Sequence, residues 1–244
     1  MENGYHISPM PAQLPAAVIE AFDGVSVATV GHLLWDGFLD HRQITARQPD
    51  TRIIGTAVTI RLPSPDTALL HYLTARLRPG DVVVIDRCGD TRMACLGGNV
   101  GLAMAVAGAA GAIVDGPICD PDEIREHGFA VWSNGVSPIT TRRMDPPMGQ
   151  LNVPVTCGGV TVHPGDVIIA DESGVLCVPR ANAMTVAAAA SKKEAVSGGR
   201  QQQLRDGANL SVLTGAEERV AKYLIPAADA AVDPTIKKNQ EQGQ

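Results

Sequence analysis

The chain has 244 residues, of which 45% are hydrophobic, 19% are charged and only 3% are aromatic, and its formal net charge at pH 7 is −6. This length allows one large domain or two small ones, each able to bury a core. The acidic balance provides no basic surface for nucleic acid, so we expect no nucleic-acid partner. No apolar run reaches the ~18 residues of a membrane span, so we expect no membrane partner either.

The cysteines and the first residues indicate the compartment. Five cysteines occur, and no two of them have C-x-x-C spacing. The odd number and the spacing argue against a disulfide framework and against a thiolate zinc site. The opening MENGYHISPM also lacks the basic-then-apolar pattern of a signal peptide. We therefore expect a cytoplasmic protein.

The first part of the chain predicts an arm, three helices and one strand. Three prolines and few apolar anchors in residues 1–15 indicate an irregular N-terminal arm. Composition and apolar spacing predict helices over 16–22, 29–39 and 66–76, the last with Asp66 as a candidate N-cap. The alternating IIGTAVTIRL favours a strand over 53–62.

The stretch from Arg78 to Asp120 is the centre of the pattern. It predicts, in order, a buried strand over 82–85, a glycine-bearing loop over 88–99, a helix of small residues over 100–111 and a strand over 112–114. An acidic loop follows. In α/β proteins ligands bind beyond the carboxyl ends of strands, beside helix N-termini that attract anions. The two loops therefore predict a combined anion and metal site.

The remainder of the chain predicts short strands and then helices. We expect strands over 130–132, 160–162, 167–170 and 175–178, helices over 121–127, 180–197 and 217–224, a polar excursion over 133–150, and a disordered tail from residue 226. RPGDVVVID (78–86) and HPGDVIIAD (163–171) are similar. A duplicated half could explain this similarity. We favour the simpler explanation that Pro-Gly-Asp forms a good turn before any strand.

Nucleotide, zinc-protease and serine-hydrolase motifs are absent from the sequence. The glycines at 97, 98 and 101 do not form G-x-G-x-x-G, and no P-loop, H-E-x-x-H or G-x-S-x-G sequence occurs. His32 and His71 fall in predicted helices as packed or surface residues. What remains is carboxylate chemistry at predicted strand ends and loops, although most such acids are solvated loop residues or turn formers. These acids are Asp86, Asp90, Asp115, Asp120 and Asp171.

Longer segments carry a family resemblance over about residues 20–195. The segments are GTAVTI (55–60), PGDVVVID (79–86), GGNVGLAMAVAGAAGAIVDG (97–116) and GGVTVHPGDVIIADESGVLCVP (158–179). Together they resemble the RraA-like family, which includes 4-hydroxy-4-methyl-2-oxoglutarate/4-carboxy-4-hydroxy-2-oxoadipate aldolases and regulators of ribonuclease E activity. The resemblance implies an α/β fold, a swivelling β/β/α single domain, assembled as a homotrimer or hexamer with active sites between subunits.

The resemblance also implies a domain layout. The RraA-like domain, which includes the N-terminal helices, is expected over 16–197 and follows the arm of residues 1–15. A C-terminal helical extension is expected over 198–225, followed by the tail of residues 226–244.

The aldolases of this family imply a metal site. They are divalent-metal lyases with a D-G-x-x-R-D signature, which falls here on Asp115 to Asp120. Asp120 matches the metal-ligand aspartate and would hold Mg²⁺ or Mn²⁺, which prefer hard oxygen donors. Cys119 occupies the arginine position, and a neutral thiol cannot offer the bidentate fork of a guanidinium. Asn99 stands where the family usually has an acid.

The remaining site residues are also implied by the resemblance. The backbone N–H groups of Gly97, Gly98, Asn99 and Val100 would hold a substrate carboxylate, because this function does not depend on side chains. Glu194 matches a glutamate that in the aldolases reaches a neighbouring subunit's site. With Cys119 and Asn99, it completes the expected catalytic set.

Three functions follow from these residues. The first is a metal-dependent lyase of the pyruvate aldolase or oxaloacetate decarboxylase type, acting on small 2-oxo acids. The second is a family member whose neutral site takes a different substrate. The third is a non-enzymatic binding protein similar to the ribonuclease regulators. Those regulators keep the arginine and lack the aspartate after it, which is the reverse of Cys119-Asp120. We therefore favour the lyase.

Overall fold

The computed structural model describes residues 4–225 of the chain. Its strands are β1 (Gly4–Ile7), β2 (Thr45–Ala46), β3 (Ile53–Arg61), β4 (Asp81–Asp86), β5 (Gly111–Asp115), β6 (Val131–Ser133), β7 (Met148–Leu151), β8 (Val155–Cys157), β9 (Val160–Val162), β10 (Val167–Asp171) and β11 (Gly174–Val178). Its helices are α1 (Ala16–Ala21), α2 (Val27–Val30), α3 (Ala68–Thr74), α4 (Gly98–Val106), α5 (Pro121–Glu126), α6 (Ala183–Arg205), α7 (Leu210–Thr214) and α8 (Ala216–Tyr223). A first compact unit ends at Glu194 and a second begins at Ala195.

A mixed sheet forms the centre of the first unit, in the order β1-β7-β3-β4-β5-β6-β2. Strands β3, β4, β5 and β6 are parallel neighbours, joined by α3, α4 and α5. Strand β10 pairs antiparallel with β3 and continues into the hairpin partner β11, while β8 and β9 form a separate hairpin. The structure confirms the predicted α/β fold. It also brings the carboxyl ends of β4 and β5 together, because parallel neighbours end at the same edge.

Apolar side chains fill both faces of this sheet. One core cluster packs α3, α4 and α5 against the sheet, and a second packs the β8–β9 hairpin against the opposite face. A third joins α1 and α2 to β10, β11 and the start of α6. The central strands are buried on both faces, which explains why their sequences are continuous β-branched runs. Within residues 4–225, no helix has both the length and the apolar character needed to cross a membrane.

The predicted strands of the central sheet agree with the structure to within one residue at each end, because each is a short apolar run bounded by turn residues. The predicted helix over 100–111 is displaced. It begins at Gly98 and ends at Val106, because Gly108 adopts a left-handed φ of 82° and stops it.

The predicted helix over 29–39 is wrong. Only the four residues of α2 are helical, and the chain then turns so that residues 37–39 cover the edge of β11. Cys177 N donates to Gly37 O at 2.8 Å, and Leu39 N donates to Val175 O at 3.0 Å. Gly37 has a φ of 86° and lies so close to the Cys177 carbonyl that a Cβ would meet it at 2.5 Å. The unpaired edge of β11 therefore overrides the local helical pattern.

Four strands were missed by the sequence analysis: β1, β2, β7 and β8. Strand β1 lies inside the predicted irregular arm, and β7 ends the predicted polar excursion. These strands pair with each other in parallel register from Gly4↔Met148 to Ile7↔Leu151. Their partners are more than 140 residues apart in the chain, so neither strand shows a local pattern strong enough to predict it.

The two Pro-Gly-Asp segments flank β3 as the amino ends of β4 and β10. Asp81 accepts a hydrogen bond from Arg78 N at 2.9 Å, and Asp166 accepts one from His163 N at 2.9 Å. The same turn chemistry therefore precedes both strands, and it accounts for the similarity between the segments. Strand β4 runs parallel to β3, and strand β10 runs antiparallel to it.

The second unit is helical over its described residues. Helix α6 continues to Arg205, past the predicted end at 197, and Gly215 at a φ of 68° separates α7 from α8. Helix α8 confirms the prediction over 217–224, whereas α7 was not predicted. Neither α7 nor α8 has a buried residue. The predicted disordered tail, residues 226–244, lies outside the described residues.

Candidate active site

The loops that follow β4 and β5 meet at one edge of the sheet. Asp86 and Asp115, the last residues of these strands, are direct partners in the parallel register. Beyond them, Cys119 N donates to Leu96 O at 3.0 Å and joins the acidic loop to the glycine-bearing loop. The N-terminus of α4 begins two residues after Leu96. The predicted meeting of two loops at a helix N-terminus is therefore present.

Asp120 has an unusual conformation at this meeting point. It precedes α5 as the N-cap residue, yet its backbone is left-handed (φ 51°, ψ 49°) and its side chain makes no capping hydrogen bond. Instead, Oδ2 accepts from Gly98 N at 3.3 Å and from Cys119 Sγ at 3.1 Å. A left-handed non-glycine residue is strained, and such residues cluster at functional sites. Asp120 is exposed, and its Oδ1 accepts no hydrogen bond from residues 4–225.

Gly97 and Gly98 are glycines because other groups occupy the space of a Cβ. A Cβ on Gly97 would lie 2.5 Å from Cys119 Sγ and 2.7 Å from Asp120 Oδ2. A Cβ on Gly98 would overlap the carboxylate of Glu123. Neither glycine has a left-handed φ, so close approach, rather than backbone freedom, requires them. This approach places Asp120 against the backbone of the loop.

The first turn of α4 retains unpaired amide groups. The first intrahelical bond runs from Gly101 N to Gly97 O at 2.9 Å, and Gly98 N is bound to Asp120. Within residues 4–225, the N–H groups of Asn99 and Val100 have no acceptor. They point along the positive end of the helix dipole, where a carboxylate binds well. Substrate binding by this loop stays a prediction, with Asn99 and Val100 as the free donors.

Cys119 is a half-buried neutral thiol. Its Sγ donates to Asp120 Oδ2 and lies 3.8 Å from Leu96 O. Burial, together with the hydrogen bond to Asp120 and the negative charge of Asp120, raises the pKa of Cys119 to about 12. The group is therefore a thiol at neutral pH, not a thiolate nucleophile. It supplies Asp120 with a hydrogen bond but no positive charge.

Glu194 lies elsewhere on its own chain. It belongs to α6, and its Oε2 accepts from Ser26 N at 3.3 Å and from Ser26 Oγ at 3.4 Å at the start of α2. None of its hydrogen bonds within the described part of the chain reaches the Asp120 loop. Its expected role at a neighbouring subunit's site stays a prediction.

Three other predicted aspartates bind to the protein itself. Asp86 pairs with Arg61 Nε at 3.0 Å, Asp115 accepts from Gly158 N at 2.9 Å, and Asp171 accepts from Val27 N at 2.7 Å. These bonds fasten neighbouring segments to the strand ends, so these carboxylates have structural partners. Asp120 differs because it is exposed and its backbone is left-handed.

Sequence reasoning missed two charged residues beside the site. Glu123 lies one helical turn after Asp120, and this i, i+3 spacing could have indicated it. Arg87 follows β4 directly and is 1% exposed. An arginine predicted in a loop gives no sign that it will be buried.

The residues present fit a divalent cation of the magnesium type. Among residues 4–225, no group of three or more His, Cys, Asp or Glu side chains could surround a metal ion. Mg²⁺ does not need such a cage, because it keeps several waters and binds through one or two carboxylates together with its substrate. The free Oδ1 of Asp120, held above the glycine loop, fits this mode.

The Asp120 carboxylate is exposed at the surface. One concave surface, of about 390 Å³, lies between residues 34–37, 159–161 and 177–186, and another, of about 250 Å³, adjoins Arg125. Asp120 lines neither of them. The site is therefore identified by the arrangement of its polar groups and not by either of these concave surfaces.

Comparisons with known sequences match this region. The profile of the family described as RraA-like: Aldolase/RraA matches residues 24–177, which include both loops of the site. A protein of Halalkalibacterium halodurans, provisionally assigned as a 4-hydroxy-4-methyl-2-oxoglutarate aldolase, is 34% identical over 156 residues, covering 64% of this chain and 73% of that protein. The 4-hydroxy-4-methyl-2-oxoglutarate aldolase of Thermus thermophilus is 32% identical over 128 residues, covering 52% of this chain and 76% of the relative.

Solved structures match the fold. Streptomyces coelicolor RraAS2, described as an unusual member of the RNase ES inhibitor RraA protein family, superposes with a TM-score of 0.68 at 26% identity and covers 78% of this chain and 98% of its own. The RNA-processing inhibitor RraA from Thermus thermophilus superposes with a TM-score of 0.52 at 30% identity, covering 56% of this chain and 81% of its own.

Proposed function

This chain belongs to the RraA-like family, and we propose that it is a divalent-metal-dependent carbon–carbon lyase of the pyruvate aldolase or oxaloacetate decarboxylase type, acting on small 2-oxo acids. One observation carries the proposal. The Asp120 carboxylate makes no capping hydrogen bond to α5 and instead accepts one from Gly98 N of the glycine-bearing loop. Its Oδ1 has no hydrogen-bond donor within residues 4–225. The named aldolase relatives support the reaction class.

Asp120 would hold the cation through Oδ1. A bound Mg²⁺ or Mn²⁺ would supply Lewis acidity that polarises the carbonyl group of a 2-oxo acid. The bond from Gly98 N and the close packing on Gly97 fix the direction of the carboxylate, so it need not reorganise when its ligand arrives. The Cys119 thiol donates to the same carboxylate and remains neutral.

The N-terminus of α4 would bind the carboxylate of the substrate. Asn99 N and Val100 N provide two donors at the positive end of a helix, and backbone donors of this kind would bind a carboxylate without help from side chains. With Cys119 in place of an arginine, this chain lacks a guanidinium at the position next to Asp120. We therefore expect a lower rate than a site that retains the arginine.

A shared site would explain why Asp120 is exposed. We propose a homotrimer or hexamer in which Glu194 of a neighbouring subunit approaches the Asp120 loop. Its carboxylate would then be a second acid at the site, where Asn99 offers none. Light scattering at micromolar concentration tests this. A trimer or hexamer is expected, and a monomer would rule out the shared site.

A pyruvate-release assay tests the reaction. The purified protein is mixed with a 4-hydroxy-2-oxo diacid or with oxaloacetate, first with Mg²⁺ or Mn²⁺ and then with excess EDTA. Pyruvate release above the protein-free rate, abolished by EDTA and restored by Mg²⁺, is the expected result. Release that EDTA leaves unchanged would contradict the role of the metal, and no release on either substrate would contradict the reaction.

A second candidate is a regulator of RNA processing that acts by binding a ribonuclease. The observation that favours it is the match to almost the whole of Streptomyces RraAS2. Inhibition of endoribonuclease cleavage by the wild-type protein and by Asp120→Asn would discriminate between the two functions. Equal inhibition by both proteins, without pyruvate release, would favour the regulator.

A further inference from the structure

Arg87 is the most completely buried cation near the site. Its side chain is 1% exposed, although it follows the last residue of β4 and begins a loop. Nη2 binds Asp90 Oδ2 at 2.6 Å, and Nη1 donates to Leu62 O at 3.0 Å and to Ser64 O at 3.2 Å. One guanidinium therefore joins the segment after β3 to the loop after β4.

Asp90 connects Arg87 to the backbone of the loop that ends at the site. Its second oxygen, Oδ1, accepts from Arg92 N at 2.8 Å and from Met93 N at 3.1 Å. Burial would raise the pKa of Asp90, but these backbone bonds and the Arg87 guanidinium hold it below its usual value. The carboxylate stays charged and shapes the chain four residues before Gly97.

The loop after β5 packs on the same side chain. A Cβ on Gly116 would lie 2.6 Å from Arg87 Cγ and 3.1 Å from Arg87 Cβ. Gly116 is the second residue of the acidic loop that carries Cys119 and Asp120. Its lack of a side chain lets this loop rest directly on the aliphatic stem of Arg87. The glycine-bearing loop and the acidic loop therefore both contact the side chain of Arg87.

Stability alone does not explain a cation at this position. Burying a guanidinium carries a desolvation penalty, and well-packed apolar replacements of buried ion pairs are often neutral or stabilising. Within residues 4–225, the Nε group of Arg87 is buried and has no hydrogen-bond partner, so its donors are not fully used. What Arg87 supplies, and an apolar side chain would not, is directional bonding to two segments at once.

We infer that Arg87 is a positioning residue that holds the glycine-bearing loop and the acidic loop in register, so that the Asn99 and Val100 amides and the Asp120 carboxylate face one ligand. The effect of Arg87 on catalysis rests on the proposed function. Its effect on the positions of the two loops is independent of that function. Arg87 itself touches no reacting group; it acts through Asp90 and Gly116.

The same strand offers a matched control. Arg78 and Asp81 form another arginine–aspartate pair with i, i+3 spacing, at the amino end of β4, with Arg78 Nη2 3.1 Å from Asp81 Oδ1. Arg78→Met removes a comparable pair from the opposite edge of the sheet. The test set is wild type, Arg87→Met, Arg87→Lys, Asp90→Asn and Arg78→Met.

Two measurements on the full chain separate positioning from simple stability. Hydrogen–deuterium exchange follows peptides over 88–99 and 115–120, where the Met93 and Cys119 amides are bonded. Pyruvate release with Mg²⁺ gives kcat and KM. We expect Arg87→Met to speed exchange in both peptides but not in β3. Its kcat/KM should fall about 100-fold, mostly in kcat, because small misplacements of reacting groups cost this much.

The other variants sharpen the result. Arg87→Lys, which keeps the charge, should recover part of kcat, and Asp90→Asn should loosen 88–99 alone. Arg78→Met should leave both peptides and kcat unchanged. The inference is wrong if Arg87→Met leaves both peptides protected, if exchange rises across the whole first unit, or if Arg78→Met has the same effect. A wild type with no pyruvate release contradicts the proposed function, and the exchange data still decide whether Arg87 holds the loops.

Discussion

The aspartates of the two Pro-Gly-Asp turns, at the amino edge of the parallel strands, differ from Asp120, which lies beyond the carboxyl edge. At the amino edge, Asp81 is fully buried and binds Arg78 through both of its oxygens, and Asp166 accepts from His163 N and Arg180 N. At the carboxyl edge, Asp120 is exposed, left-handed and bonded through one oxygen only. The same residue type is completely paired in these two turns and incompletely paired at Asp120, although Asp86, also at the carboxyl edge, is buried and paired.

This difference distinguishes carboxylates that stabilise the fold from one that is available to a ligand, without reference to any relative. A buried carboxylate must find partners, because leaving it unpaired would cost the full desolvation penalty. Asp81 meets this requirement with Arg78 of its own turn, and Asp166 meets it with His163 of its own turn and with Arg180 N. A strained, exposed carboxylate gains little stability from its position, so its conformation is better explained by an external ligand. The comparison predicts stability effects at the amino edge and binding effects at the carboxyl edge.

The largest expected effect is on metal binding by Asp120→Asn. Removing the charge of the Asp120 carboxylate should abolish Mg²⁺ binding in calorimetry and lower pyruvate release about 10²–10³-fold, as for other preorganised electrostatic groups. The melting temperature should hardly change.

Asp122→Asn is the matched control for this variant, because Asp122 lies on the same helix in an exposed pair with Arg125. It should bind Mg²⁺ like wild type. Normal binding by Asp120→Asn would refute the metal assignment, whereas a large loss of melting temperature would make Asp120 structural.

The next effect is on stability at the amino edge. Asp81→Asn should lower the free energy of unfolding by about 1–3 kcal/mol, because the buried amide cannot replace the charged partner of Arg78. Urea unfolding measures this change. Mg²⁺ affinity should be retained in the folded variant. A parallel loss of affinity would mean that the two edges are not independent.

A smaller effect, in the opposite direction, is expected from Cys119→Arg. The half-buried thiol lies beside Asp120, and its position gives a longer side chain access to solvent. A guanidinium there should raise kcat/KM for 2-oxo acid cleavage about tenfold or more, as a preorganised donor contributes up to ~10²–10³. Asn99→Glu combined with Cys119→Arg should exceed either single variant. If no variant gains activity in the pyruvate assay, the site serves a different substrate.

The smallest effect concerns acid stability at Asp66, which lies between β3 and α3. Burial would raise the pKa of Asp66, but bonds from Ala68 N, Met144 N and the Tyr5 hydroxyl hold it below its usual value. A depressed pKa stabilises the fold above the unfolded value, near pH 3.9, and this contribution disappears as pH falls through the folded pKa. Asp66→Asn should therefore lose about 1 kcal/mol at pH 7 and less at pH 3 in urea unfolding. An equal loss at both pH values would contradict this.

The amino-acid sequence by itself determined most of the central sheet and the place of the candidate site. Runs such as Val82 to Ile85 are β-branched, apolar and bounded by turn residues, so local preference and burial favour the same strand. The order of strand, loop, helix and strand also placed Gly97–Val100 and Asp120 on loops at one edge. These features depend on neighbours within a few residues, which a local pattern can report.

Only the tertiary structure decided how these loops are held. The burial of Arg87, the approach of Glu123 to Gly98 and the turning of Asp120 away from its own helix each depend on segments far apart in the chain. The edge of β11 likewise converted a helical pattern at residues 37–39 into its covering segment. A sequence pattern records what each residue prefers locally. Packing determines which distant groups compete for the hydrogen bonds of that residue and which of them forms the bond in the fold.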